Sequence, residues 1–197
     1  MSYALSWVAV RTDSPQAVQD ALELRDTGER EDLPESEIAG AVLPGGWYMV
    51  VSNRDKLKLE SEEVLSRLSR IGEIVMCRVE EHVMYSSAAC WRDGRRVWTV
   101  CHQGDREMEH LEVKGEPPGS FGAIRDRMRS QQAAEGGDKA EVDYIFEIPV
   151  ELALSLTGYR HDIEIPALGK NAFEVLVTTK TTPERTWWRR LFAQRPS

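Results

Sequence analysis

Three short stretches of the chain group side chains able to move protons or hold charge. Glu80-Glu81-His82 sets carboxylates beside an imidazole, the usual acid/base partners. His102 and His110 flank Gly104-Asp105, and Cys101 stands next to His102. With His82, these residues could ligate a metal by type. No pair has the Cys-x-x-Cys or His-Glu-x-x-His spacing of a zinc site, so no metal is expected. Tyr159-Arg160-His161-Asp162 follows Gly158. There Asp162 could orient the imidazole of His161, and Arg160 could hold a carboxylate or phosphate. No Ser or Cys nucleophile in a diagnostic motif accompanies these groups, so no residue can be named as catalytic.

Each cluster has a plainer reading. Charges such as Glu81 and His82 on a strand edge discourage strand-to-strand association. A positive side chain such as Arg160 at a helix C-terminus is favoured by the helix dipole. The run Gly115-Glu-Pro-Pro-Gly-Ser-Phe-Gly122 lacks the Lys-Ser/Thr of a phosphate loop and is broken by two prolines. It reads as a turn before a helix, and no cofactor is expected.

The C-terminal segment Thr186-Trp187-Trp188-Arg189-Arg190-Leu191-Phe192 joins aromatic and basic residues, types enriched in binding hot spots. If it is helical, Trp187, Trp188, Leu191 and Phe192 cluster on one side while Arg189 and Arg190 diverge. One reading is a docking peptide for a partner protein. A second is a membrane-surface anchor, against which the segment is short and carries no second anchoring signal. A third is that it folds back onto the acidic body and hides its rings.

The elements that must position these residues can be read from periodicity. Tyr3–Val10 is β-prone, and Ser14-Pro15 opens a helix that Gly28 could stop. Glu29–Glu37 reads as an acidic loop, and Ile38–Leu43 as a short strand. Trp47–Val51 is a continuous apolar strand, central in a sheet. Ser61 caps a second helix with Val64, Leu65, Leu68 and Ile71 on its buried stripe, ended by Gly72. Ile74–Trp91 and Arg96–His102 are β-rich and joined by Asp93-Gly94, the signature of a type I′ hairpin.

That hairpin implies a register. Arg92 faces Arg95, Ala89 faces Trp98, Ser87 faces Val100 and Tyr85 faces His102. Trp91 and Trp98 then share one core face, while Cys90 and Cys101 share the other, too far apart for a disulfide. His82 falls opposite Asp105 on the face of Cys101, and the imidazole-bearing ends look toward water. Further on, 110–119 is a Pro/Gly-rich connection, and Ser120 caps a third helix ending near Gly136. Val142–Ile148 alternates as a strand, Pro149 opens a fourth helix closed by Gly158, and Phe173–Thr179 is a last strand.

The class is therefore α+β: a largely antiparallel or mixed sheet with about four helices packed on one face. The 197 residues, 41% hydrophobic, fit a single domain over 1–180, with a weak lobe boundary near 111–119 and a basic aromatic tail over 181–197. The net charge of −8 divides into +4 from Lys180 onward and −12 elsewhere. An acidic body lacks the basic footprint of a nucleic-acid binder, so no nucleic acid is expected. The three cysteines, Cys77, Cys90 and Cys101, are odd in number and suit reduced thiols in the cytoplasm. No basic leader or membrane-spanning run is apparent, so a soluble protein is expected. The sequence leans away from an enzyme, toward a protein-interaction module such as an adaptor, inhibitor or immunity-like factor. The alternative is a hydrolase using His and carboxylate groups. The residues singled out for binding are Glu81, His82, His102, Tyr159, Arg160, His161, Asp162, Trp187, Trp188, Arg189 and Arg190.

Overall fold

A computed structural model of the protein describes residues 2–179 other than Asp105, Glu107 and Met108. The tail residues Trp187, Trp188, Arg189 and Arg190 lie outside the described residues, as does Asp105, the expected partner of His82. Among the described residues nine strands form one antiparallel sheet. They are β1 (Ala4–Arg11), β2 (Leu24–Glu31), β3 (Ile38–Leu43), β4 (Trp47–Asn53), β5 (Ile74–Glu80), β6 (Tyr85–Arg92), β7 (Arg95–Gln103), β8 (Glu112–Gly115) and β9 (Phe173–Thr178). Their spatial order is β2-β9-β3-β4-β1-β5-β6-β7-β8. The helices are α1 (Pro15–Ala21), α2 (Glu62–Leu68), α3 (Ser120–Ala134) and α4 (Tyr144–Thr157). The chain is α+β.

The helices cover both faces of the sheet rather than one. Val8, Val10, Tyr48, Val50, Ile74 and Met76 pack with Val18 of α1 and with Leu65 and Leu68 of α2. Trp7, Ala9, Met49, Val51, Val75 and Cys77 pack with α3 and α4 on the other side. A strand buried on both faces loses its apolar/polar alternation, which is why β4 reads as a continuous apolar run.

The hairpin of β6 and β7 turns at Asp93 (φ 52°) and Gly94 (φ 76°), the left-handed pair a type I′ turn requires. Its register departs from simple alternation. Arg92 faces Arg95 and Trp91 faces Arg96, but Cys90 faces Trp98 and Ala89 faces Thr99. The extra residue is a β-bulge, and a slip of one residue sends every later side chain to the opposite face. Trp91 therefore lies in the core under α2 and Trp98 in the core under α4. Both rings are buried, but not together. Cys90 and Cys101 likewise point to opposite faces, and all three cysteines are free. Tyr85 faces Gln103, and His102 faces Ser86.

Residues 142–148 are not a strand. Asp143 caps α4, its side chain accepting hydrogen bonds from the backbone N–H groups of Ile145 and Phe146, and Pro149 sits inside the helix. The helix is buried on most of its circumference between the sheet and α3, at Ile145, Phe146, Ile148, Val150, Leu152 and Ala153 among others. Such a helix carries no clean 3.6-residue stripe. Two edge strands fall where connections are expected. β2 is almost wholly exposed and charged, and β8 has four residues. α1 ends before Gly28, which lies within β2, and Gly119 rather than Ser120 caps α3. No helix among the described residues is long and apolar enough to cross a membrane.

Candidate functional site

The two ends of α4 organise the two histidine-bearing regions separately. At its N-terminus, Asp143 Oδ2 lies 3.1 Å from His102 Nε2, and His102 Nδ1 is 2.7 Å from the carbonyl oxygen of His110. A carbonyl only accepts, so Nδ1 carries a hydrogen. Burial works to raise the Asp143 pKa, yet the His102 ring beside it and the bonds from the Phe146 and Ile145 amides hold it below the ordinary range. Ser86, opposite His102, completes the residue types of a hydrolase triad. Its hydroxyl, however, donates to the Phe146 carbonyl at 2.6 Å, and His102 is 0% exposed. No substrate reaches this trio. It is a polar clamp that holds α4 to β6 and β7, and His102 does not look toward water.

Glu81 and His82 occupy a short 3-10 turn between β5 and β6, which splits the β-rich run in two. His82 is exposed. The Glu81 carboxylate accepts a hydrogen bond from the Tyr3 backbone N–H at 2.9 Å, so it anchors the start of β1.

At the other end of α4, Gly158 adopts φ 75°, the left-handed helix cap that glycine tolerates without strain. The chain then turns back across the sheet toward β9. Tyr159 packs edge-on against Trp7, ring centroids 5.3 Å apart, and against Phe173 at 6.5 Å. Arg160 folds back along α4 into three carboxylates. Its guanidinium lies 2.7 Å from Glu151, 2.8 Å from Glu147 and 2.9 Å from Asp162 Oδ2. Burial works against the guanidinium charge, but the bonds to Asp162 and the fields of Glu147 and Asp162 raise its pKa further. Its donors are committed, so Arg160 offers no free fork for a carboxylate or phosphate. Asp162 is equally committed. His161 Nδ1 is 4.0 Å from it, too far for a hydrogen bond, so Asp162 does not orient the imidazole. Burial pushes the His161 pKa down, with Asp162 opposing. The ring is neutral near pH 7 and sits edge-on to Tyr3, centroids 4.7 Å apart.

These residues wall a cavity of about 500 Å³, within the usual range for a binding site. Tyr3, Leu33, Pro34, Ile163, Ile165, Leu168 and Phe173 supply its apolar lining, with Asp32, Asp162 and Glu164 against Arg160 and Lys170 around it. Two polar atoms in this wall have no hydrogen-bond partner among the described residues: Tyr159 Oη and His161 Nδ1. Tyr159 is 2% exposed and the His161 side chain 4%. Leaving such a group unpaired costs about 1–3 kcal/mol. At the rim, Leu33 and Ile163 are 52% and 46% exposed. Glu81 touches this region through Tyr3 and its charge also acts on His161, while His102 belongs to the separate clamp.

Sequence reasoning missed Leu33, Ile163 and Phe173 as lining residues, because they come from three segments distant in the chain. It also missed Asp143 and Ser86, although an Asp before an apolar run is a capping signal. Among the described residues no group of three or more His, Cys, Asp or Glu side chains is placed to hold a metal ion. No family model, curated protein or solved structure matches this chain.

Proposed function

We propose that the protein is a non-enzymatic protein-interaction module whose docking site is the cavity behind α4. Its partner is a protein segment presenting an aromatic side chain flanked by basic residues. The observation that carries this reading is the apolar cavity of about 500 Å³ with Leu33 and Ile163 exposed at its rim. Exposed Leu33 and Ile163 at the rim would be covered by such a partner. With Arg160 matched by Glu147, Glu151 and Asp162, the remaining lining charges are Asp32 and Glu164 against Lys170. The surplus favours a basic segment through charge complementarity. Three buried thiols without a disulfide suit a reducing compartment, which supports a cytoplasmic setting. Against the hydrolase alternative, Ser86 and His102 are buried under α4 and His161 Nδ1 is 4.0 Å from Asp162.

The test is a calorimetric titration. A twelve-residue probe peptide with one tryptophan between arginines is added to the full chain carrying Trp187→Ala and Trp188→Ala. Those changes remove the chain's own copy of the same residue pattern. A Kd of about 1–100 µM, a modest free energy for a small docking site, is expected. Ile163→Asp, at an exposed rim position, should weaken it at least tenfold. No binding, or binding indifferent to Ile163→Asp, would overturn the proposal.

A further inference from the structure

We infer that β8 is a self-association edge. Two copies of this chain pair antiparallel along it, with Val113 opposite Val113 and Glu112 opposite Lys114 of the second copy, joining two sheets into one.

An open sheet has two edges, and this chain treats them differently. β2 is protected. Its register against β9 shifts between Asp26 and Arg30. Within that irregularity the Gly28 and Glu29 backbone N–H groups bond Asp26 Oδ1 and Thr27 Oγ1. A bulge whose amides are satisfied by its own side chains offers no straight ladder to another strand. β8 ends the sheet beyond β7, and among the described residues no strand pairs with its outer side.

Which groups face outward follows from β7. The Gly104 N–H bonds the Met84 carbonyl, on the side of β6. The Gln103 N–H bonds the His110 ring, on the side of β8. Backbone groups alternate sides along a strand, so Cys101 and Thr99 also face β8, where they meet Glu112 and Lys114. Glu112 and Lys114 therefore direct their N–H and C=O groups to β7. Val113 directs both of its groups away from the sheet, and its side chain is 40% exposed.

The charges choose the register. A two-fold axis centred on Glu112 or on Lys114 sets like charges opposite each other, which is destabilising. Centred on Val113, the axis sets Glu112 opposite Lys114 twice and lets the two Val113 residues exchange both backbone bonds. Within one chain Lys114 Nζ already lies 2.7 Å from Glu112, with both side chains open to solvent. The dimer keeps that contact and closes it into a square of four alternating charges. Charge on an edge ordinarily discourages pairing. Here the alternation of sign makes the edge complementary to itself. Leu111 falls diagonal to Val113 of the second copy on one face, within reach of an apolar contact.

Sedimentation equilibrium of the wild-type full chain should show the molar mass rising from one chain toward two, with a Kd of about 10–500 µM, as suits a small interface. Val113→Pro removes an outward donor without touching the β7 ladder. It should hold the chain monomeric and leave the thermal unfolding midpoint within about 3 °C. If it lowers the midpoint further, the charge-exchange series alone decides. In that series Glu112→Lys and Lys114→Glu should each weaken association about tenfold, and the two together should restore it to within about threefold. A wild type that stays monomeric up to about 1 mM, a dimer indifferent to a well-folded Val113→Pro chain, or a double variant as weak as the single ones would overturn the inference. β8 supplies no wall of the cavity, so peptide docking and self-association are read separately.

Discussion

His102 Nε2 lies 3.1 Å from Asp143 Oδ2, joining β7 to the N-cap of α4 through a fully buried ring. Asp143 serves two purposes with its two oxygens, since Oδ1 accepts from the Ile145 and Phe146 amides. Asp143→Ala removes a helix cap and a buried partner at once, and should cost about 2–4 kcal/mol in urea unfolding. The Asp143 pKa is held below its ordinary 3.8. Its contribution is therefore present above that pH and is lost as pH falls through the folded value. Asp143→Asn should flatten the stability profile in that acid window and lower the plateau above it. An unchanged profile would show that the pair contributes nothing.

Arg160 ties the crossing segment to α4 through Glu147, Glu151 and Asp162. Its side chain is 15% exposed, so removing it leaves carboxylates facing one another with little solvent to screen them. Arg160→Ala should destabilise the fold by about 2–4 kcal/mol. Arg160→Lys should recover less than half of that, because a point charge cannot serve three acceptors in a planar fork. Full rescue by lysine would mean that charge alone, not geometry, holds the segment.

The bulge in the β6–β7 hairpin makes a prediction about coupling. Trp91 and Trp98 pack into cores on opposite faces and do not share neighbours across the sheet. Trp91→Phe and Trp98→Phe should each cost about 1–3 kcal/mol and add within about 0.5 kcal/mol. A coupling of a kilocalorie or more would place both rings in one core, as uninterrupted alternation would have it.

What the sequence revealed and what it hid follow from locality. Ser14, Ser61 and Gly158 mark helix ends because capping is decided within a few residues. The Asp93-Gly94 turn is legible for the same reason. The bulge beside Trp91 is not, since an inserted residue leaves no composition of its own and changes only the pairing. β2 is hidden by its charge: an edge strand with one covered neighbour needs few apolar residues. At the site, Tyr159 and His161 stand out as polar residues after a helix stop, but what surrounds them is set by long-range topology. Leu33 and Phe173 reach the same cavity only because β9 inserts between β2 and β3.

The cysteines provide an independent check on burial. Burial pushes the Cys90 thiol up to about 11 and raises those of Cys77 and Cys101. Reactivity follows the thiolate, so the native chain should show almost no reaction with a disulfide reagent at pH 8. All three thiols should titrate once the chain is unfolded. Rapid labelling of any one in the native state would place it at the surface.

The docking site itself is tested most directly by methyl NMR on the Trp187→Ala/Trp188→Ala chain during addition of the tryptophan–arginine peptide. Leu33 and Ile163 at the rim, and Leu168 in the wall, should shift together and saturate at one peptide per chain. Val42 and Val113, exposed on other strands, should stay where they are. Shifts confined to those two valines, or no saturable shift at Ile163, would contradict the account.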